Sequence, residues 1–277
     1  FLLFIGNVAG LFLLSSFSAI SRADAPQEKE NSPILTQENL KQVQKSGTYK
    51  VVRVIDDLTL ILDNEEVVRL VSLDIPDRHK QSPPKHVKQA FDLLKQEFEG
   101  KQITFYQSPN PDKGQANRMG HSLGHIIRSK DKLWAQGILL KNGLARTRTT
   151  KDNAHLALAM YGQEEKARNE EQGIWAMPEY QVLDAKQAAQ NKHGYEIVMG
   201  TIKSVAAVNN TIYLNFGQNW RTDFTIALPV DLRRDLLSEG LDPLKWQDKT
   251  LRARGWIEDY NGPYIKIDHI ERLEFIT

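Results

Sequence analysis

The chain has 277 residues, of which 40% are hydrophobic and 26% are charged. This composition is typical of globular proteins and excludes collagen-like, disordered and multi-span membrane chains. Lysine and arginine total 36 and aspartate and glutamate total 35, so the formal net charge is +1, unlike that of a basic protein that coats nucleic acid. Cysteine is absent, which excludes disulfides, thiolate nucleophiles, zinc–cysteine sites and lipidated cysteines.

The first 20 residues are almost all apolar or small and carry no charge. Residues 23–25, Ala-Asp-Ala, then fit the small-x-small pattern of a signal-peptidase site. We therefore expect residues 1–25 to be an export signal that lacks its basic start, and the protein to be periplasmic or secreted. An uncleaved membrane anchor is the less favoured alternative, since about 20 apolar residues can span a bilayer.

A polar segment, residues 26–47, is expected to be a linker, and a first folded domain is expected over residues 48–178. Apolar and β-branched runs predict strands at Val51–Ile55, Leu60–Leu62, Val67–Leu73, Ile103–Tyr106 and Leu123–Ile127. Helical spacing predicts helices over Lys85–Glu99, over Trp134–Asn142 and from Asp152 or Asn153 to Asn169. This mixture predicts an α+β domain.

Residues 179–193 are expected to be a connector, and residues 194–277 a second, all-β domain. Its predicted strands are Val198–Val208, Thr211–Phe216, Thr222–Leu228, Lys249–Glu258 and Tyr264–Ile267. A helix over Asp231–Ser238 is predicted before the fourth strand. Five strands with a helix before the fourth are the order of an OB fold, a small closed barrel.

Three motifs lie in the first domain. Residues 54–59 read VIDDLT, residues 68–77 read VRLVSLDIPD and residues 117–126 read NRMGHSLGHI. Their order resembles the staphylococcal nuclease (thermonuclease) family, which carries I-D-G-D-T, then R-L-x-x-[IV]-D-[TA]-P-E, then D-x-[YH]-G-R. The resemblance continues through LLKNGLAR at residues 139–146 and AR…GIW at residues 167–175.

This resemblance implies a staphylococcal-nuclease-like OB-fold barrel, followed by a second small OB-like all-β domain. Three segments of the second domain, residues 213–217, 220–225 and 254–263, are similar to the C-terminal extension of bacterial members of the family. In the family, one calcium ion lies between two aspartates and a backbone carbonyl. Two arginines hold the scissile phosphate, and a glutamate activates the attacking water.

The resemblance assigns roles to particular residues of this chain. Asp56 and Asp74 match metal ligands, and Ile75 would supply the backbone carbonyl. Arg69 matches the first phosphate-binding arginine. Asp77 occupies the position of the catalytic glutamate and is one methylene shorter, a displacement of about 1 Å that can cost about 10²-fold in rate.

Three positions depart further from the family pattern. The second ligand aspartate falls on Leu58, which removes a hard oxygen ligand of the kind that calcium prefers. Asp57 stands where the family has glycine, and it could bind metal only if the strand end were shifted. The second phosphate-binding arginine falls on His121, which is mostly neutral at pH 7. We therefore expect any calcium site to be weakened.

Other residues are weaker candidates. Arg118, Trp220 and Arg221 are candidates for nucleic-acid contacts, although Trp220, Trp256 and Tyr264 are more often core or rim residues than base-stacking ones. His121 and His125 could join Asp74 in a transition-metal site, but the spacing is unspecific. His79 and His86 flank a Pro-Pro loop and are expected to be solvated.

Three functions follow from these observations. The favoured one is an exported protein of this family that binds single-stranded or flexible nucleic acid through a degenerate site, with weak or absent phosphodiester hydrolysis. The second is an active, secreted, calcium-dependent nuclease. The third is a non-enzymatic module that binds a cell-envelope protein. No small-molecule cofactor is expected, and the oligomeric state is left open.

Overall fold

The computed structural model describes residues 32–190, 194–219, 221–259 and 262–276. Contacts between Cα atoms divide the chain into two units, residues 1–32 and 33–277, and the second unit contains the elements below. The predicted export signal lies outside the described residues. Within the described residues, no helix is both long and apolar enough to cross a bilayer.

The first half of the fold combines short strands with four helices. Its strands are β1 (Gln44–Val54), β2 (Thr59–Leu62), β3 (Val67–Leu70), β4 (Leu73–Asp74), β5 (Gln102–Gln107), β6 (Ser122–Arg128) and β7 (Arg146–Thr147). Its helices are α1 (Gln37–Leu40), α2 (Lys85–Phe98), α3 (Ala135–Lys141) and α4 (Ala157–Asn169). Short 3₁₀ turns occupy Lys151–Asn153, Gly173–Ala176 and Pro178–Tyr180.

The second half is dominated by strands. They are β8 (Leu183–Asp184), β9 (Gly194–Thr201), β10 (Ser204–Val208), β11 (Thr211–Asn215), β12 (Thr225–Leu228), β13 (Thr250–Asp259), β14 (Pro263–Lys266) and β15 (Leu273–Ile276). Two helices accompany them, α5 (Ala185–Gln190) and α6 (Val230–Ser238). Further 3₁₀ turns lie at Pro243–Lys245 and Ile270–Arg272.

Strands β1, β2, β3, β6 and β5 form a closed barrel in that order. β1 closes it because residues 44–50 pair with β5 and residues 51–54 pair with β2. β3 and β6 pair in parallel, and the remaining pairs are antiparallel. Alternation places Ile103 and Phe105 of β5 in the core. Helix α2 buries Ala90, Leu94 and Phe98, the spacing of one helical face.

The C-terminal sheet repeats this order. Its hydrogen-bonded path runs β10-β11-β12-β14-β13-β9-β8, and β15 pairs with β13. β9 and β10 are two halves of one bent strand: the amide of Ile202 donates to Lys249 O at 3.0 Å, and that of Lys203 to Asn215 O at 2.8 Å. With β9 and β10 counted as one strand, the cyclic order and the parallel β12–β14 pair match the first barrel. The predicted α+β fold class is confirmed.

The boundaries differ from the sequence expectations in several segments. The helix expected from Asp152 or Asn153 begins at Ala157, after a 3₁₀ turn over Lys151–Asn153. The expected linker, as far as it is described, contains α1 and the start of β1, and it buries Leu35 and Val43 against the barrel core. The expected connector contains β8 and α5, whose Ala188 is buried. The linker and connector segments are polar in sequence, and only a few apolar side chains in each pack against the rest of the protein.

A buried ion pair joins α4 to the C-terminal sheet. Arg254 of β13 lies 2.8 Å from Glu164 of α4, and the two side chains are 1% and 0% exposed. Arg254 also lies 3.3 Å from Glu274, and Glu164 accepts from the amide of Thr147 at 2.7 Å. Burial would lower the pKa of Arg254, but Glu164 and its other anionic neighbours raise it, so the guanidinium stays charged.

We expect Arg254→Met to lower the free energy of unfolding by about 3–5 kcal/mol, because Glu164 keeps a buried charge and loses a partner. Urea unfolding measures this change. Lys88→Met is the control: Lys88 pairs with Asp92 on an exposed face of α2, and such pairs contribute about 0–1 kcal/mol. Similar losses in the two variants would contradict the role given to Arg254.

Candidate functional site

Two aspartates follow β1 directly and face an arginine from another part of the chain. Asp56 Oδ1 accepts the backbone N–H of Leu58 at 2.8 Å. Asp57 is 4% exposed, and its Oδ2 accepts from Arg78 Nε at 2.9 Å. Arg78 Nη2 donates to the other oxygen of the same carboxylate, so this pair is bidentate, the strong form of an arginine–carboxylate contact.

Arg78 reaches further groups to which the family resemblance gives a metal-binding role. Its Nη2 lies 3.5 Å from Asp56 Oδ1, and its backbone N–H donates to Ile75 O at 3.4 Å. The hydrogen bond with Asp57 raises the pKa of Arg78, burial opposes it, and the charges of Asp57, Asp56 and Asp74 raise it further. A permanent guanidinium charge therefore occupies this acidic cluster.

Asp74 is held by two other arginines. It lies in β4, which pairs with β7 so that Asp74 is opposite Arg146. Arg146 Nη2 donates to Asp74 Oδ2 at 2.9 Å, and Arg148 Nη1 lies 3.6 Å from Asp74 Oδ1. Arg146 also donates to Tyr195 O at 2.9 Å and lies 3.6 Å from Glu196. The C-terminal strand β9 thus contributes directly to the surroundings of Asp74.

Glu196 completes this charge cluster from β9. Its side chain is 13% exposed, and burial raises its pKa, against the lowering effect of Arg146. The charge of Asp74 raises the same pKa further. Two carboxylates therefore share Arg146, and this arginine is committed to the interior of the protein.

Asp77 lies in a strained turn, with φ at +59°, a region that residues other than glycine seldom adopt. Tyr180 donates its hydroxyl to Asp77 Oδ2 at 2.7 Å, and Lys80 lies 2.8 Å from the same oxygen. Desolvation would raise the pKa of Asp77, but these two contacts lower it. His86 Nε2 contacts Pro76 O at 2.8 Å and the His86 ring packs edge-on against Tyr180, so His86 is buried rather than solvated.

Arg69 is the accessible arginine at the end of the barrel. Its Nη1 donates to Thr59 Oγ1 at 3.1 Å and lies 4.0 Å from Asp56 Oδ2, with 30% of the side chain exposed. Burial and the charge of Arg78 lower the pKa of Arg69, while Asp56 and Asp57 raise it. The structure thus brings Arg69 together with Asp56, Asp57 and Arg78.

The other predicted contact residues that the structure describes lie in two loops, one before β6 and one before β12. His121 is half-buried just before β6, where its backbone N–H donates to Asn117 Oδ1 at 3.0 Å. Arg118 is exposed in the same turn, and Arg221 is exposed in the loop before β12, where its N–H donates to Asn219 Oδ1 at 3.2 Å. Trp220 lies outside the described residues.

His125 is a core residue and not a metal ligand. It is 3% exposed in β6, and its ring lies 5.8 Å from that of Trp134. Burial and, less strongly, the nearby His155 lower its pKa to about 3, against a hydrogen bond with Gln136. The described part of the chain contains no group of three or more His, Cys, Asp or Glu side chains that could hold a metal ion, so the transition-metal site that the sequence offered as an unspecific alternative is not formed there.

Sequence reasoning missed the arginines that neutralise the acidic residues. Arg78 follows Asp77 directly and was given no role, and Arg148 lies two residues beyond the end of a matched motif. Tyr195 and Glu196 lie some 120 residues away from Asp74 in sequence. The sequence did show an arginine close to each of these motifs. Which carboxylate each arginine pairs with is decided only by the folded backbone.

Comparison with known proteins finds similarity to one family in this region. Residues 67–177 match the family described as staphylococcal nuclease homologue. The thermonuclease of Staphylococcus hyicus is 27% identical over 134 residues, which cover 47% of this chain and 76% of that protein. These matches confirm the resemblance drawn from the motifs. Asp56 and Asp57 precede the matched residues. They are assigned to the site because they contact Arg69 and Arg78.

Calcium is the ion that the resemblance implies, and the residues present do not fit it. Calcium takes about six to eight oxygen ligands, yet Leu58 is apolar and 3% exposed. Asp56, Asp57 and Asp74 each pair with at least one arginine, and the carbonyl of Ile75 accepts an amide. The charge that a divalent cation would neutralise is already neutralised by protein groups.

We expect Arg78→Ala to gain calcium binding that the wild type lacks, because Asp56 and Asp57 lose their guanidinium partner. Titration calorimetry and thermal unfolding with added calcium measure this gain. A calcium concentration of 100 times Kd would raise the free energy of unfolding of the variant by about 2.7 kcal/mol. Arg78→Gln is a second variant that keeps more of the side-chain volume.

The control for this prediction is Lys80→Ala, which removes a neighbouring cation that pairs with Asp77. Lys80→Ala should bind calcium no better than the wild type. Equal calcium binding by the wild type and by Arg78→Ala would mean that the guanidinium does not compete with the ion.

His125 is expected to make stability depend on pH. Between pH 6.5 and about 3, the unfolded chain binds a proton at this residue that the folded chain does not. The free energy of unfolding therefore falls as pH is lowered through this range, by about 1.4 kcal/mol per unit from this residue. His125→Gln should give a shallower pH dependence in urea unfolding.

The matched control is His79→Gln, which removes an exposed histidine. It should keep the pH dependence of the wild type. A His125→Gln slope as steep as that of the wild type would contradict the buried, neutral state of His125.

Proposed function

Because the chain carries a domain of the staphylococcal nuclease type, we propose that it binds single-stranded or flexible nucleic acid and hydrolyses phosphodiesters weakly or not at all. The observation that carries this proposal is the pairing of Asp56, Asp57 and Asp74 with arginines. In a calcium-dependent nuclease these carboxylates would be available to the ion. Here they stabilise guanidinium groups instead.

Phosphate binding is assigned to Arg69 and Arg148, two partly exposed arginines that adjoin the acidic residues of the candidate site. The side chains of Arg69 and Arg148 are 30% and 39% exposed, and a planar guanidinium matches the geometry of a phosphate. Each lies within 4.0 Å of an aspartate, so a phosphate must compete with an internal anion. We therefore expect modest affinity that depends strongly on salt.

Hydrolysis requires a positioned water and stabilisation of the charge that develops on the phosphate. Asp77 stands where the family has its glutamate, and one of its oxygens already accepts from Tyr180 and contacts Lys80. His121 replaces an arginine that would hold the phosphate. Each lost electrostatic contact in such a site costs about 10²–10³ in rate, which supports weak or absent turnover.

Calcium-dependent hydrolysis is the second candidate, favoured by two observations. Arg69 and Asp74 stand at their family positions, and the Staphylococcus hyicus relative is named a thermonuclease.

We also propose export to the periplasm or the cell exterior, on the basis of the apolar residues 1–20 and the Ala-Asp-Ala pattern. Binding to a cell-envelope protein is the outcome to consider if nucleic acid does not bind.

We expect the wild type to bind a labelled single-stranded oligodeoxynucleotide with an affinity that falls steeply between about 50 and 200 mM salt. Arg69→Ala and Arg148→Ala should each weaken binding and reduce the slope of log K against log salt by about 0.7. Fluorescence anisotropy measures both quantities. Lys88→Ala, on an exposed face of α2, should leave the affinity unchanged.

The same protein, incubated with the oligonucleotide in calcium and in a chelator, tests hydrolysis. Little or no calcium-dependent cleavage is expected. Cleavage by the wild type that Asp74→Asn abolishes would establish the active nuclease instead. An affinity that does not vary with salt would remove nucleic acid as the partner.

A further inference from the structure

Trp256 is an exposed aromatic residue beside the arginines of the candidate site. It lies in β13 opposite Tyr195 of β9, and it is 51% exposed, whereas its neighbour Ile257 is 3% exposed. The sequence favoured a core or rim position for Trp256, and its exposure excludes the core. A single exposed aromatic residue is common. The contacts of the indole distinguish Trp256 from such a residue.

Those contacts are with a guanidinium and a second aromatic ring. Arg148 Cζ lies 5.4 Å from the centre of the Trp256 ring and 5.1 Å from that of Tyr195. The two rings are 6.2 Å apart and meet edge to face, at 71°. Tyr195 is 4% exposed, so it is a fixed support. Cation–π attraction thus holds Arg148 beside both a buried ring and an exposed one.

Arg148 also connects this pair of rings to the nuclease-like site. Its Nη1 lies 3.6 Å from Asp74 Oδ1, and Asp74 pairs with Arg146. Trp256 is therefore one arginine side chain away from the carboxylate that the family resemblance matches to a metal ligand. The indole comes from the C-terminal sheet, and Asp74 comes from the family-matched domain.

We propose that Trp256 and Arg148 form a base-stacking subsite for a single-stranded nucleic acid, with the base on the indole and the adjoining phosphate at the guanidinium. This proposal rests on the proposed function and adds the element that reads the base. Aromatic rings stack on the faces of unpaired bases, and a duplex hides those faces. The subsite therefore favours single strands and has little sequence preference.

The test compares a thymidine oligonucleotide with an abasic oligonucleotide of the same length and phosphate number. Trp256→Leu should weaken binding of the thymidine strand by roughly 5- to 150-fold, the usual effect of losing one stacking contact. Binding of the abasic strand should not change. Trp256→Phe keeps an aromatic face and should retain most of the affinity for the thymidine strand.

Phe275→Leu is the matched control, because Phe275 is a 39% exposed aromatic residue of β15 in the same sheet. It should leave both affinities unchanged. Wild-type binding to both strands with equal affinity, or Trp256→Leu weakening both strands equally, would overturn the stacking subsite alone. Failure of the wild type to bind either strand would overturn the proposed function as well.

Discussion

The guanidinium of Arg254 and the carboxylate of Glu164 lie 2.8 Å apart where almost no solvent reaches either group. Each charge would be costly to bury alone, and each is compensated by the other together with a second partner, Arg168 for Glu164 and Glu274 for Arg254. This pair joins α4 of the family-matched domain to β13 of the C-terminal sheet. The position of β13, and of the neighbouring β9, therefore depends on it, and so do the contacts of Tyr195 and Trp256 with the candidate site.

The same constraint governs the candidate site. Asp57 and Asp74 are largely buried, and a buried carboxylate must have a cation or several hydrogen-bond donors. Arg78 pairs with Asp57, while Arg146 and Arg148 pair with Asp74. A divalent ion would meet the same electrostatic requirement. The chain meets it with permanent cations on its own side chains, so a calcium ion would have to compete with these arginines for the same oxygens.

This arrangement connects the near-neutral charge of the chain to its proposed activity. The 36 basic and 35 acidic residues do not create a basic surface of the kind that attracts polyanions over a distance. Recognition would instead depend on a few placed groups, two accessible arginines and one exposed indole. Such a site binds a flexible strand locally, and its affinity is limited by the aspartates that share the arginines.

The sequence by itself determined the helix α2, because its apolar spacing matches one buried face, and it located five strand segments in each of the two β-rich regions. It also identified the motif residues Arg69 and Asp74, since these keep their spacing along one chain segment. Tertiary structure alone decided that Arg78 occupies the acidic cluster and that Arg148 lies against Trp256. Periodicity and motif spacing describe neighbours along the chain, whereas these contacts join residues from strands and turns that meet only after folding.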